Sequence, residues 1–280
     1  MTSQPLLSFC QFALPTTTFE EDVKLCKEYG YAGMSIGEHK LRDGEDDDLV
    51  NLFLRSGLKA AACIPINIAP LPPIPAAHFA GPDDPTERVE AMCNSIRRLA
   101  RFEPDSVVLI TGSGQGRTVA DAHKIAVEGL REGARVAAGF GMNVNIEPIR
   151  VSESFDGSWV HDVPSTVELL NEIGEPNVDI AYDVWHLWDT DNIVQLTEQH
   201  AAAIGAVHVC DWLPVAAPSE RGFPGEGVID LPALFGALER GGFTGWFDVE
   251  VFSSELGGAE PAVVFERGRD GFEAAWEARR

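Results

Sequence analysis

The 280-residue chain predicts an α/β fold, a single-domain (β/α)8 TIM barrel over residues 1–280. Three observations carry that reading. Strand-like and helix-like runs alternate through eight units with no break in composition. Glycines recur where a helix should stop and a strand begin. The last four strand-like runs each finish on or near a residue able to ligate a metal ion, and in a parallel barrel such ends converge on one mouth. An open doubly wound sheet is the architectural alternative, but no Gly-x-Gly-x-x-Gly turn follows the first strand.

In chain order, LLSFCQFAL (6–14) reads as the first strand, followed by a helix over 18–29 that Gly30 closes. YAGMSIGE (31–38) is the second strand and leads to a helix over 47–56, closed by Gly57. LKAAACIPI (58–66) is the third, with a long helix over 85–103; SVVLITG (106–112) is the fourth, with a helix over 118–139. NVNIEPI (143–149), VDIAYDVWH (178–186), AVHVCDW (206–212) and WFDVEVF (246–252) are the fifth to eighth strands. Their Val, Ile and aromatic content suits buried parallel strands. Helices over 163–173, 191–203, 231–240 and 260–278 complete the units. Two connections exceed a plain turn: the Pro-rich stretch 66–83 after the third strand and 213–229 after the seventh. Both lie on the carboxyl side, where barrels build pockets and lids. They are expected to cover a pocket, with Trp212 and Phe223 as shields; His78, in the first of them, is expected in solvent.

Twenty-one basic against 44 acidic residues give a net charge of −23. That field repels phosphate backbones and anionic lipid, so neither a nucleic-acid nor a membrane partner is expected. The five cysteines show no C-x-x-C or zinc-finger spacing and read as reduced, buried thiols. With no signal-peptide pattern and no membrane-length apolar run, a cytoplasmic location is expected. The sequence leaves a homo-oligomer open.

Glu147, Asp183, His208 and Glu250 are the four strand-end donors. Hard oxygens plus one imidazole favour Mn2+, with Mg2+, Co2+ and Zn2+ as alternatives. Such a cation acidifies the carbon beside a carbonyl, so that a carboxylate can remove its proton. A sugar or cyclitol with adjacent carbonyl and hydroxyl oxygens fits that chemistry.

The patterns IEP (146–148), D-x-x-H (183–186), H-x-x-D (208–211), R-x-x-P-G-E-G-x-I-D (221–230) and V-E-V-F (249–252) resemble the xylose isomerase-like barrel superfamily. More narrowly they resemble its sugar phosphate isomerase/epimerase branch, which includes ketose 3-epimerases, inosose dehydratases and ketoinositol isomerases. The resemblance implies that Glu147, Asp183, His208 and Glu250 bind the metal and that Glu147 and Glu250 form the acid/base pair. It also implies that His186 and Arg221 contact the substrate oxygen near the reacting carbon. Trp212 and Glu38 complete the candidate substrate-binding set, and His39, beside Glu38, falls either at the rim or in the pocket. TGSGQGR (111–117), with Arg117 as its one cation, is the nearest approach to a phosphate loop. The third and fourth strands end in PIN and TGSG, without the histidines of a three-metal DNA-repair cluster.

The implied activity is isomerisation or epimerisation of a ketose, cyclitol or keto-sugar through a metal-bound enediolate. A lyase using the same first proton removal, an inosose-type dehydratase or a keto-glycoside β-eliminase, is the alternative. A non-enzymatic binding subunit is the third reading, and a protein without bound metal would favour it.

Overall fold

The computed structural model describes residues 4–75, 79, 81–152, 155–214, 220–253, 256 and 258–280. Parts of both long connections, His78 among them, lie outside the described residues.

The eight barrel strands are β1 (Leu6–Cys10), β2 (Gly33–Gly37), β3 (Lys59–Ile64), β4 (Ser106–Leu109), β5 (Asn143–Ile146), β6 (Val178–Asp183), β7 (Ile204–Val209) and β10 (Trp246–Val249). They close in the order β1-β10-β7-β6-β5-β4-β3-β2, every neighbouring pair parallel. The helices packed between them are α1 (Phe19–Glu28), α2 (Asp46–Ser56), α3 (Pro85–Leu99), α4 (Val119–Ala138), α5 (Val163–Ile173), α7 (Ile193–His200), α8 (Leu231–Arg240) and α9 (Pro261–Glu277). A short helix, α6 (Val184–Leu187), follows β6 directly. Strands β8 (Asp211–Trp212) and β9 (Arg221–Gly222) form a small antiparallel ribbon outside the barrel.

Local chemistry explains the boundaries. Thr18 and Glu21 close a capping box at the start of α1. Asp84, Asp162 and Asp230 accept backbone amides at the starts of α3, α5 and α8, each with proline in the first turn. Gly57 ends α2 at φ 82°, a conformation that a β-carbon would strain. The first strand is shorter than expected. Beyond Cys10 the chain turns through a 3-10 segment, Gln11–Ala13, and the Gln11 side chain holds that turn in place: its Nε2 donates to Asp22 at 2.8 Å and its Oε1 accepts the Gly37 amide at 3.1 Å.

Strand alternation sorts the core into two layers. On β10, Phe247 meets Phe235 and Phe272 of the surrounding helices, so its neighbours Trp246 and Asp248 face the barrel interior. The same alternation turns His208 inward, while Val207 and Val209 join the outer core. A second apolar cluster, including Ile64, Val108, Ile110 and Ile149, is separate from that outer layer. No helix among the described residues is long and apolar enough to cross a membrane.

Candidate metal centre and active site

Barrel register brings the four donors together. Asp183 and His208 are cross-strand partners on β6 and β7. The ladders continue one step past the strand ends: the Glu147 amide donates to Leu109 at 2.9 Å and the Glu250 amide to Val209 at 3.0 Å. Glu147 and Glu250 are thereby fixed at the mouth by backbone bonds. One ligand atom from each of Glu147, Asp183, His208 and Glu250 lies within 4.8 Å of the others, and all four residues are buried.

His208 Nδ1 sits 3.0 Å from Glu147 Oε1 and 3.4 Å from Glu250 Oε2. Arg221 Nη1 lies 2.9 Å from Asp183 Oδ2 and 3.0 Å from Glu250 Oε2. Trp185 and Phe252 flank its guanidinium, with centroids at 5.0 and 4.5 Å. Cys10 donates its thiol to Glu250 Oε1 at 3.3 Å. His186 Nδ1 accepts the Arg150 amide at 3.3 Å, and its Nε2 faces Asp183 Oδ2 at 3.6 Å and Arg221 Nη2 at 3.5 Å.

The electrostatics follow from burial and from this crowding. Burial opposes a charge on His208, but Glu250 and Glu147 hold its pKa well above the usual histidine value. Burial would raise Glu250, yet His208 and Arg221 pull its carboxyl below the ordinary range. Burial raises Glu147 against the pull of His208. His186, desolvated and beside Arg221, falls to about 4 despite Asp183 and stays neutral near neutral pH.

These residues fit a divalent cation. As a metal ligand His208 would give up the proton that Glu250 and Glu147 hold on it; three buried carboxylates beside one guanidinium then leave a surplus of two negative charges, which a divalent ion cancels. Asp183 Oδ2 is buried and makes no hydrogen bond of good geometry; it faces the cationic Arg221 Nη1 at 2.9 Å, as an oxygen placed for a cation would. Three hard oxygens and an imidazole suit Mn2+, Mg2+ or Zn2+.

A cavity of about 530 Å3 opens onto the cluster and is lined by Glu147, His208, Glu250, His186 and Arg221, with His39 at its far side. Neither Trp212 nor Glu38 is among the lining residues. Trp212 stands behind Trp185, ring centroids 4.9 Å apart, and it is Trp185 that reaches the cavity. Glu38 is turned to structural partners: it accepts the Ile66 amide at 2.8 Å and faces Arg98 at 3.4 Å, bracing the start of the loop after β3. Phe223 packs in the outer core under Arg267, 4.2 Å from its guanidinium carbon, and does not shield the cavity. Arg117 lines separate cavities. Asp211 serves the loop: its carboxylate accepts the amides of Trp212, Gly225 and Ile229 at 2.8, 3.0 and 2.9 Å.

Sequence reasoning missed three functional neighbours. Arg150 lines the cavity and spans Trp212 and Trp185, with centroids at 4.5 and 5.5 Å. Its position just past the fifth strand was the available signal. Cys10 touches Glu250 because closure sets β1 against β10. Phe12 enters the cavity only because the chain turns after Cys10.

A closed parallel barrel with a buried carboxylate–histidine cluster at its mouth is a TIM barrel with a candidate divalent-metal site. A family model described as xylose isomerase-like TIM barrel matches residues 23–274, and the chain belongs to that family. It is 24% identical over 252 residues to inosose isomerase of Bacillus velezensis, covering 86% of each chain. It is 30% identical over 128 residues to L-ribulose 3-epimerase of Mesorhizobium japonicum, covering 45% of this chain and 40% of that enzyme. Inosose dehydratase of Geobacillus thermodenitrificans is 26% identical over 172 residues, covering 56% and 52%. The chain thus spans about half, or less, of the length of two of these three enzymes. The solved structure of protein SMc04130 from Sinorhizobium meliloti superposes with a TM-score of 0.84 at 23% identity, covering 96% of this chain and 98% of that one. That likeness concerns the fold.

Proposed function

We propose that this enzyme is a divalent-metal-dependent isomerase or epimerase of a ketose, cyclitol or keto-sugar, with Mn2+ as the working ion. The supporting observation is the convergence of Glu147, Asp183, His208 and Glu250 within 4.8 Å at the floor of a cavity. When bound there, a divalent ion would polarise a substrate carbonyl and acidify the neighbouring C–H bond. Glu147 and Glu250 then serve as the acid/base pair, one removing the proton and the other returning it. Arg221 presents its guanidinium beside both Asp183 and Glu250, placed to hold an oxygen on which negative charge develops. His186, neutral and pinned by the Arg150 amide, offers a further hydrogen bond to that oxygen. The aromatic flank of Trp185 and Phe252 keeps water from the guanidinium.

A lyase is the second reading, favoured by the match to an inosose dehydratase. It shares the proton removal and differs in expelling a β-substituent.

The test pairs metal analysis of the purified protein with solvent-deuterium incorporation into ketoses, inososes and keto-glycosides. Isomerase or epimerase activity puts deuterium on the carbon beside the carbonyl with no other change in mass. Loss of water or of an aglycone selects the lyase. Glu250→Gln should retain metal while turnover falls by about 100- to 10,000-fold. Deuterium-free product formed at full rate by this variant would sink the acid/base assignment.

A further inference from the structure

The cavity has two unlike halves. Apart from His39, its polar lining among the described residues comes from the chain at and beyond the ends of β5, β6, β7 and β10, namely Glu147, His208, Glu250, Arg150, Ser152, His186, Arg221 and Ser253. The half built by β1, β3 and β4 with their following loops presents Phe12, Ile64, Ile68, Phe79, Val108 and Ile110. Ile149 and Phe155 continue this wall from the β5 side. Phe12 and Phe79 pack with ring centroids 5.9 Å apart, which makes the wall aromatic as well as aliphatic.

A bare sugar or cyclitol does not match this surface. It carries a hydroxyl on nearly every carbon, and each hydroxyl brought against Ile or Val loses its water without gaining a partner. The metal-side residues can satisfy the carbonyl end of a substrate. Across the cavity, among the described residues, only the His39 side chain can answer further hydroxyls. A volume of about 530 Å3 lies within the range that holds drug-sized ligands, with room beyond one sugar ring. A planar apolar substituent meets these demands: it has no polar groups to strand, and it gains from stacking on Phe12 and Phe79.

We infer that the substrate is a keto-sugar or keto-cyclitol carrying an aryl substituent, with the sugar carbonyl at the metal cluster and the aryl group on the wall of Phe12, Ile64, Phe79, Val108 and Ile110. The carbonyl placement rests on the proposed function; the aryl placement rests on the lining residues alone.

The two parts can be separated experimentally. With Mn2+-loaded protein, calorimetric titration compares phenyl and methyl 3-keto-β-D-glucosides, which share the sugar and differ in the substituent. The phenyl compound should bind at least 10-fold more tightly. Val108→Thr, which sets a hydroxyl into the wall at nearly constant volume, and Phe79→Ala, which removes one stacking ring, should each narrow the phenyl-to-methyl ratio several-fold. Circular dichroism checks that the variants fold, and either one suffices. Equal affinities, tighter binding of the methyl compound, or no binding of either would overturn the aryl assignment, even if free ketoses exchange deuterium normally. Preferential phenyl binding without exchange in any keto-sugar would instead uphold the aryl wall and refute the proposed proton transfer.

Discussion

Arg221 carries the charge balance of the site, because its Nη1 reaches Asp183 and Glu250 at once. A lysine keeps the charge but not the planar fork that spans two carboxylates between Trp185 and Phe252. Arg221→Lys is therefore expected to retain bound metal and to lose about 100-fold in kcat, the usual scale for one lost electrostatic contact in a transition state. Steady-state kinetics with metal analysis on the same sample check this; unchanged kcat would remove Arg221 from the mechanism. Asp183 plays a different part. Its Oδ1 accepts the Trp185 amide at 2.8 Å and starts α6, which leaves Oδ2 for the cluster. Asp183→Asn should weaken metal binding by more than about 100-fold, beyond the range typical of outer-sphere changes. Competition against a chromogenic chelator measures it, and full occupancy in the variant would show the cluster wrongly drawn.

Among the elements, the turn after β1 and the ribbon β8–β9 do most to shape the mouth. Lys40 is buried and donates to Leu14 and Thr17 carbonyls, the Thr17 hydroxyl and Asp22 at 2.5–2.9 Å, tying the β1 turn to α1 and β2. Burial raises the Asp22 carboxyl although Lys40 opposes it, so the carboxylate depends on that ammonium to stay charged. Lys40→Met leaves a buried carboxylate without its counter-ion and should cost about 3–5 kcal/mol of stability. Urea unfolding measures this, and a loss under about 1 kcal/mol would mean that the network is dispensable. On the other side of the mouth, Asp211 gathers three amides of the loop that delivers Arg221. This is why the H-x-x-D spacing carries weight although Asp211 itself touches no metal-cluster residue.

For the whole molecule, closing a barrel with three carboxylates at one end concentrates negative charge in a chain already at −23. A bound cation should therefore stabilise the native state. At about 100 times its dissociation constant, an ion contributes about 2.7 kcal/mol. For a domain of this size that corresponds to a rise in Tm on the order of 5 °C. Removing metal with a chelator and re-adding Mn2+ in a thermal scan checks the expectation; a Tm indifferent to both would argue against a resident ion.

The barrel and the convergence of the four donor residues were legible in the linear chain for one physical reason. Parallel strands joined by helices put all their carboxyl ends on the same side, so a donor at each of four strand ends already implies convergence. Long-range geometry settled the rest. Trp212 and Trp185 are equally plausible shields on paper, but a single antiparallel pairing of Trp212 with Arg221 sets Trp212 behind Trp185. Glu38 stands at a strand end like the metal ligands, and only the fold supplies the Ile66 amide and Arg98 that claim it. Val108 and Ile110 read as core whether they face other side chains or a ligand, because hydrophobicity reports exclusion from water and not what does the excluding. The sequence by itself determined the architecture and the mouth at which Glu147, Asp183, His208 and Glu250 meet. Which aromatic ring faces the cavity, which arginine bridges the carboxylates and how apolar the far wall is were decided by tertiary contacts between residues tens to hundreds of positions apart.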